Sequence, residues 1–377
     1  MKRKAESSPA PGSLSAPGPS SPHHAGTKSP TSGSPVSPQS PKSESGALLG
    51  SHWLQQGLPA DDTDADSTLG DEIESSTASI SSSILSYRNI NGRTYHSHSA
   101  MDEEYWAPND PKHLEALDIF YHAIDMMLEG KLHQAPLRGN IENAVDIGTG
   151  SGLWAIDFAD KYTNCYVVGT DISPVQPSWV PPNLQFEIDD ATKEWTYRDD
   201  HFDYIHMQLL NGAFESLTHV YNQAFRCCKP GGWFEHADVS VMVSSDDGSV
   251  EENSPLGQYG KLLEAAGNQF NRVSRSADFT TMEDAMKEAG FENITVKKFK
   301  MPISPWSEDQ RMKEIGLYAF ATMTTDVEGI IHFMFGNILG WSQEEIAGYA
   351  DHLRRQLRRK DVHGYYTLKV VYGQKPE

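Results

Sequence analysis

The stretch Asn143-Ala-Val-Asp-Ile-Gly-Thr-Gly-Ser-Gly-Leu-Trp154 decides how this chain is read. An apolar run ends at Ile147, and Gly148, Gly150 and Gly152 follow at alternate positions, where a buried parallel strand would stop and a helix begin. Glycine at such a junction lets the backbone turn tightly and approach a ligand with no Cβ in the way. Thr149 and Ser151 fill the places between, and the acid Asp146 stands ahead of the first glycine. The pattern predicts a nucleotide-type cofactor loop on an α/β core.

Two details choose between cofactors. Dinucleotide-binding loops carry G-x-G-x-x-G, with a helix N-terminus facing a pyrophosphate. Here the pattern is G-x-G-x-G behind an acid, which fits S-adenosylmethionine. That cofactor has no phosphate to cradle, but it carries an ammonium that a carboxylate at the strand end can hold, directly or through water. Tyr166-Val-Val-Gly-Thr-Asp171 reads as the next strand. Asp171, with Ile172 beside it, lies about 20 residues past the loop, where an acid accepts hydrogen bonds from ribose hydroxyls. Asn183-Leu-Gln-Phe-Glu-Ile-Asp-Asp-Ala191 is a short strand whose Asp190 side chain or Ala191 amide meets the adenine edge. His201-Phe-Asp-Tyr-Ile-His-Met-Gln208 is a buried strand whose end, near Met207, is expected at the reactive sulfonium. Val220 to Cys228 reads as a helix, and Lys229-Pro-Gly-Gly232 ends it and feeds the strand Trp233 to Asp238. A bare βα turn with no ligand would leave the two placed acids unexplained.

Val145-Asp-Ile-Gly-Thr-Gly-Ser-Gly-Leu-Trp154, Gly169-Thr-Asp-Ile-Ser-Pro174, Phe186 to Ala191, Phe202-Asp-Tyr-Ile-His206 and Lys229-Pro-Gly-Gly232 resemble the successive motifs of class I S-adenosylmethionine-dependent methyltransferases. Within that superfamily the chain resembles the fungal LaeA-like methyltransferases, on Ser82-Ser-Ile-Leu-Ser-Tyr-Arg88, Tyr105-Trp-Ala-Pro-Asn-Asp110, Trp154-Ala-Ile-Asp-Phe-Ala159 and Gln176-Pro-Ser-Trp-Val-Pro-Pro-Asn183. The resemblance implies a Rossmann-like α/β fold, a twisted seven-stranded sheet with helices on both faces. It also implies a regulator of transcription, development and secondary metabolism, found in nucleus and cytoplasm, that methylates protein and associates with velvet-type or other regulatory subunits. It supplies no acceptor.

Composition bounds the rest. A chain of 377 residues holds one substantial α/β domain with appendages, although only 38% of it is hydrophobic. Residues 1–82 account for that low figure and are expected to form a disordered tail. Up to Pro41 the tail is serine, proline and glycine, with too few apolar side chains to offset the entropy of ordering. Its Ser-Pro steps, Ser8-Pro9 through Ser40-Pro41, read equally as sites for proline-directed kinases or as an unmodified spacer. Asp61 to Glu74 is acidic with no basic residue, a solvated linker or a docking site for a basic partner. Cys165, Cys227 and Cys228 form no disulfide framework, which suits a reducing compartment. The expectation is a chain with neither a secretory leader nor a membrane span. A formal net charge of −21 opposes broad DNA affinity despite Lys2-Arg3-Lys4 and the Arg354 to Lys360 cluster, so the expected partners are proteins.

Four further segments follow. Residues 83–140 are expected to be a helical N-terminal segment, with Leu114, Leu117, Phe120, Ile124 and Leu128 at helical spacing from Pro111 to Leu132. Residues 141–305 form the cofactor-binding core, 306–362 a helical insertion, and 363–377 the closing strand, antiparallel in the related superfamily. In the insertion Ile315, Leu317, Phe320, Ile330, Ile331, Phe333 and Phe335 are frequent enough to pack as a cap over the sheet's ligand edge. Acceptor selection falls to these pieces and to 249–279. A general base is needed only if the acceptor loses a proton; Glu235 and His236 are placed for it, yet read equally as a pair bonded to backbone, and no catalytic residue is assigned. His96, His98 and His332 lack metal-like spacing, so no metal is expected. The preferred reading is a methyltransferase acting on protein in a nuclear regulatory complex. A small-molecule biosynthetic methyltransferase and a non-catalytic cofactor-binding scaffold are the rivals.

Overall fold

In the protein's structure, a computed structural model, residues 46–57, 83–99 and 104–377 are described. Before the core come α1 (Gly50–Gln55) and an antiparallel hairpin of β1 (Arg88–Ile90) and β2 (Arg93–Tyr95). That hairpin turns at Asn91-Gly92, where φ is 51° and 82°, the pair of positive angles that a tight hairpin requires. Next is α2 (Pro111–Met127), opened by proline in the first turn and by Asp110, whose side chain accepts from the His113 N–H. The reading to Leu132 overshoots because Glu129 and Gly130 take φ of 60° and 67° and stop the helix.

The core runs β3 (Asn143–Ile147), α3 (Leu153–Lys161), β4 (Tyr166–Asp171), β5 (Leu184–Ile188), β6 (Phe202–Gln208), α4 (Leu217–Cys227) and β7 (Cys228–Val239). Helices α5 (Pro255–Gln269) and α6 (Thr281–Glu288) lead to β8 (Glu292–Pro302). The insertion follows as α7 (Gln310–Thr325), α8 (Val327–Ile331), a π-helical turn His332–Ile338 and α9 (Gln343–Arg358), and β9 (Tyr365–Gln374) closes the chain. Among the described residues these strands make one seven-stranded sheet in the order β5-β4-β3-β6-β7-β9-β8. The first five are parallel, while β9 runs antiparallel to β7 and to β8. Covering on both faces explains why β3 and β6 are buried along nearly their whole length. Edge strand β8 instead alternates and carries Lys297, Lys298 and Lys300, which keep the open edge from pairing with another chain. Strand order reverses between β4 and β6 on either side of β3, so the ligand crevice lies at the carboxyl end of β3.

The insertion packs as a cap, with Ile315, Ile331, Phe333 and Phe335 fully buried and Phe320 and Ile330 packed against the same core. Leu317 departs from the expectation and is 53% exposed, because α7 turns Ile315, Ala319, Thr322 and Met323 inward and leaves Leu317 on its outer face. The expected tail boundary at residue 82 also needs correction. Within 46–57, Trp53 is buried, edge-on to Tyr349 of α9 at 5.1 Å, and its carbonyl accepts from His352 at 3.2 Å, while the Leu48 N–H donates to Gln258 at 2.8 Å. Ala47, Leu48 and Trp53 bury enough apolar surface to order the segment. Residues 83–99 and 104–110, expected to be helical, hold the hairpin and an extended strap. The Ser-Pro tract, Lys2-Arg3-Lys4 and the Asp61–Glu74 acids lie outside the described residues.

Candidate active site

The glycine loop folds back on the strand that follows it. Thr149 N–H donates to the Thr170 carbonyl at 2.8 Å, and Gly152 N–H to Thr149 at 2.9 Å. Gly152 has φ of +85° and a Cβ there would meet the Phe186 ring at 2.3 Å, so only glycine fits. Gly150, at φ +57°, differs: nothing lies within 4 Å of its absent Cβ, which opens on the cavity. Gly148 lines the same cavity. Ser151 is turned outward from the loop, its hydroxyl donating to Asp118 of α2 at 2.6 Å, and ties the loop to that helix.

Three acids flank the loop. Asp146 accepts the Thr149 hydroxyl at 2.6 Å and, on its other oxygen, the His206 ring at 2.7 Å. Asp171 accepts the N–H groups of Gly150 and Ser173, each at 2.9 Å. Burial pushes its carboxyl up to about 6 against the pull of those amides, and the charge of Asp146 adds to the rise. Asp190 uses Oδ1 for the Thr192 N–H and hydroxyl, while Oδ2 is buried with no partner among the described residues. Ile172 and Ala191 line the cavity beside them.

Met207 needs correction. It is fully buried in the core on the α4 side of the sheet, whereas its neighbours His206 and Gln208 line the cavity. Alternation along β6 sends successive side chains to opposite faces, and the register Asp146 with His206 puts the odd-numbered methionine away from the loop.

The cavity, about 320 Å3, extends from the loop under the cap. Leu117 and Phe120 of α2, Tyr259 of α5, Met323 of α7, Met334 and Tyr366 wall its far end. The segment Tyr105 to Asn109 straps its rim. Trp106 Nε1 donates to the Asn211 carbonyl at 3.0 Å, and Asn109 Nδ2 donates to Ser173 Oγ at 3.2 Å, so the strap joins the ends of β4 and β6. Burial, then the charges of Asp171 and Asp238, push up the Tyr105 phenol between those two acids.

Two lining groups escaped the sequence reading. Asp238 is buried at the end of β7, accepting from Asn211 Nδ2 at 2.8 Å. His113 is buried in the first turns of α2, with Nδ1 3.0 Å from Asp326 and Nε2 without a partner among the described residues. Asp326 in turn meets Arg93, which also grips Asp110. His113 and Asp326 are far apart in sequence and come from a helix and a cap that no local pattern connects. Of the two residues placed by sequence for base duty, Glu235 is a structural cap: its carboxylate accepts the N–H groups of Gln134 and Ala135 at 2.9 and 2.7 Å. His236 is paired through Nδ1 with the Tyr221 hydroxyl at 2.7 Å.

Burial raises the Glu235 carboxyl to about 7, opposed by those amides. An unfolded glutamate titrates near ~4.3, so the folded state binds the proton more tightly. Its contribution to stability is therefore full below about 4.3 and is lost as pH rises through about 7. Glu235→Gln keeps an acceptor oxygen for the amides without the charge. Thermal melts from pH 5 to 8 are expected to show a flatter decline for this variant than for the wild type, and parallel curves would refute the assignment.

A sheet whose last strand runs backwards between β7 and β8, with a glycine loop held between Asp146 and Asp171 at the strands' carboxyl ends, defines a class I S-adenosylmethionine-dependent methyltransferase. Residues 121–296 match the methyltransferase-domain family. Methyltransferase pytC of Aspergillus terreus is 34% identical over 306 residues, covering 81% of this chain and 93% of that one. The secondary metabolism regulator laeA of Aspergillus fumigatus is 30% identical over 76% of each chain, and the protein-methionine methyltransferase laeA of Emericella nidulans 27% identical over 76% of each. This chain belongs to the LaeA-like family of class I methyltransferases.

The residues present fit the cofactor. Asp190 Oδ2 is a buried acceptor lacking a donor among the described residues, suited to an adenine amine, the Asp171 carboxylate suits ribose hydroxyls, and the space over Gly150 leaves room for the ligand to lie against backbone. S-adenosylmethionine, when bound, supplies a methyl group on a sulfonium leaving group.

Proposed function

We propose that this methyltransferase modifies a small, largely apolar molecule through a hydroxyl or amine that loses its proton during transfer. The observation that carries this reading is the lining of the same cavity under the cap, which is largely aliphatic and aromatic and includes His113, whose Nε2 has no partner among the described residues. An apolar cleft of this kind suits a small molecule more than a charged peptide. His113 provides the proton acceptor: Asp326, a hydrogen-bond acceptor only, fixes the proton on Nδ1 and leaves Nε2 to take one.

A protein acceptor, within a nuclear and cytoplasmic complex containing velvet-type subunits, is the second reading. The name of the Emericella nidulans relative, a protein-methionine methyltransferase, favours it, as do the Ser-Pro steps of the first 41 residues.

The test supplies purified full-length protein with methyl-tritiated S-adenosylmethionine and a fungal cell extract, then separates organic-soluble from acid-precipitable label. Label in the organic fraction is expected; label confined to protein sinks the small-molecule reading in favour of the second. In the same assay His113→Gln is expected to lower the transfer rate by about 10²-fold or more while S-adenosylhomocysteine affinity, measured by calorimetry, stays unchanged. An unchanged rate would remove His113 from proton transfer.

A further inference from the structure

We infer that Tyr259 is a specificity residue for the acceptor, its phenol hydroxyl donating to an uncharged carbonyl oxygen of the molecule that is methylated. The inference rests on the proposed small-molecule acceptor and adds the group by which that acceptor is read.

Helical geometry places the ring. Tyr259 and Leu263 of α5 stand about one turn apart on one face, and both line the cavity. Tyr259 is only 5% exposed, and its hydroxyl has no hydrogen-bond partner among the described residues. A buried tyrosine ordinarily finds one. The two phenols that feel the charge of Tyr259 have theirs: Tyr349 donates to the Pro255 carbonyl at 2.9 Å, and Tyr366 to Met323 Sδ at 3.3 Å. Burial alone pushes the Tyr259 phenol up, with no charged group contributing, whereas Tyr105 feels both Asp171 and Asp238. Tyr259 thus stands apart from the acids at the ends of β4 and β7, and it is a protonated donor throughout the physiological range.

The lining selects what that donor meets. Among the described residues the cavity wall holds aspartates but no lysine or arginine. A carboxylate or phosphate entering it would lose water without gaining a counter-charge, which costs far more than one hydrogen bond returns. The oxygen must therefore be neutral. α5 packs on the π-helical turn, whose Met334 lines the cavity together with Leu263. Those side chains offer no oxygen to a hydroxyl that brings a proton of its own. A carbonyl oxygen only accepts, so it satisfies the phenol and leaves no donor unmatched.

The transfer assay with methyl-tritiated S-adenosylmethionine and fungal extract, run on the full chain, tests the inference. Rates across a dilution series of one extract give an apparent KM before the acceptor is identified. Tyr259→Phe removes only the hydroxyl. It is expected to raise that KM about 3- to 10-fold, with kcat and the calorimetric affinity for S-adenosylhomocysteine as in the wild type. The labelled product that the wild type makes, purified from the organic fraction, is expected to show a carbonyl stretch in its infrared spectrum. This second arm needs no variant to fold. An unchanged KM, an equal loss of S-adenosylhomocysteine affinity, or a product without a carbonyl each overturns the inference. Label confined to protein would instead refute the small-molecule reading, and the inference with it.

Discussion

Asp171→Ala is expected to weaken S-adenosylmethionine binding by about 100-fold or more. Hydrogen bonds to a charged group contribute about 1.5–3 kcal/mol each, and the Asp171 carboxylate, which the sequence leads one to expect at the ribose hydroxyls, holds the Gly150 and Ser173 amides. Removing it is expected to delete a ribose acceptor, and it frees two backbone donors whose position shapes the loop. Asp171→Asn retains one acceptor oxygen and is expected to lose less. The pH dependence has a definite sign. Burial holds the carboxyl at about 6, and the ribose hydroxyls donate best to the ionised form, so affinity falls as pH drops through about 6 and is flat above it. Titration calorimetry at pH 5.5 and 7.5 on wild type and Asp171→Asn checks this; a wild-type affinity independent of pH would show that the ribose does not rest on this carboxylate.

Asp326→Ala is the substitution expected to cost the fold most, about 3–5 kcal/mol. Its side chain is fully buried where β2, α2 and the cap meet. One carboxylate there accepts from Arg93 through two nitrogens at 2.8 Å, from His113 at 3.0 Å and from the Gly329 N–H at 3.2 Å. Burial works to raise its carboxyl, but the bonds from His113 and Arg93 outweigh that and hold it below the ordinary range. Its stabilisation is therefore present above the unfolded aspartate range and is lost as pH falls through the depressed folded value. Alanine leaves Arg93 with Asp110 alone and leaves His113 without its orienting acid, so a cap that roofs the cavity loses its tie to the hairpin. A melting transition lowered by on the order of 10 °C is expected. The same variant is expected to lose methyl transfer as His113 does, since an unanchored ring no longer keeps its proton on Nδ1. A melting curve within 2 °C (about 1 kcal/mol) of the wild type would show that the network contributes little.

These two sites differ in how far the chain announces them. Asp171 is legible because its neighbours in space are also its neighbours in a short repeat: an apolar run, a glycine turn, a helix, another apolar run and an acid. Asp190 and Ala191 follow by the same logic. Met207 shows where that logic stops, since a buried strand apolar on both faces gives no sign of which side faces the ligand; its alternation had to be read from the register with Asp146. Tyr105 to Asp110 were visible as a family string, yet their place as a strap between Ser173 and Asn211 depends on contacts across the whole domain. Likewise, Trp53 sits in a polar stretch that looks unable to order itself, and only the groove against α9 and α5 supplies the apolar partner it lacks locally.

What the sequence by itself determined is the α/β class, S-adenosylmethionine as cofactor and the glycine loop from Gly148 to Gly152, with Asp146, Asp171 and Asp190 expected beside it. Strand periodicity and glycine backbone freedom are local properties, written within a few residues of where they act. Tertiary structure alone decided which distant side chains pair at the cavity. His113 meets Asp326, and His206 meets Asp146 and Trp154, only because a parallel sheet and a cap bring distant segments to one edge. Burial then strips those side chains of water and fixes their direction, and it leaves His113 Nε2 without a partner among the described residues.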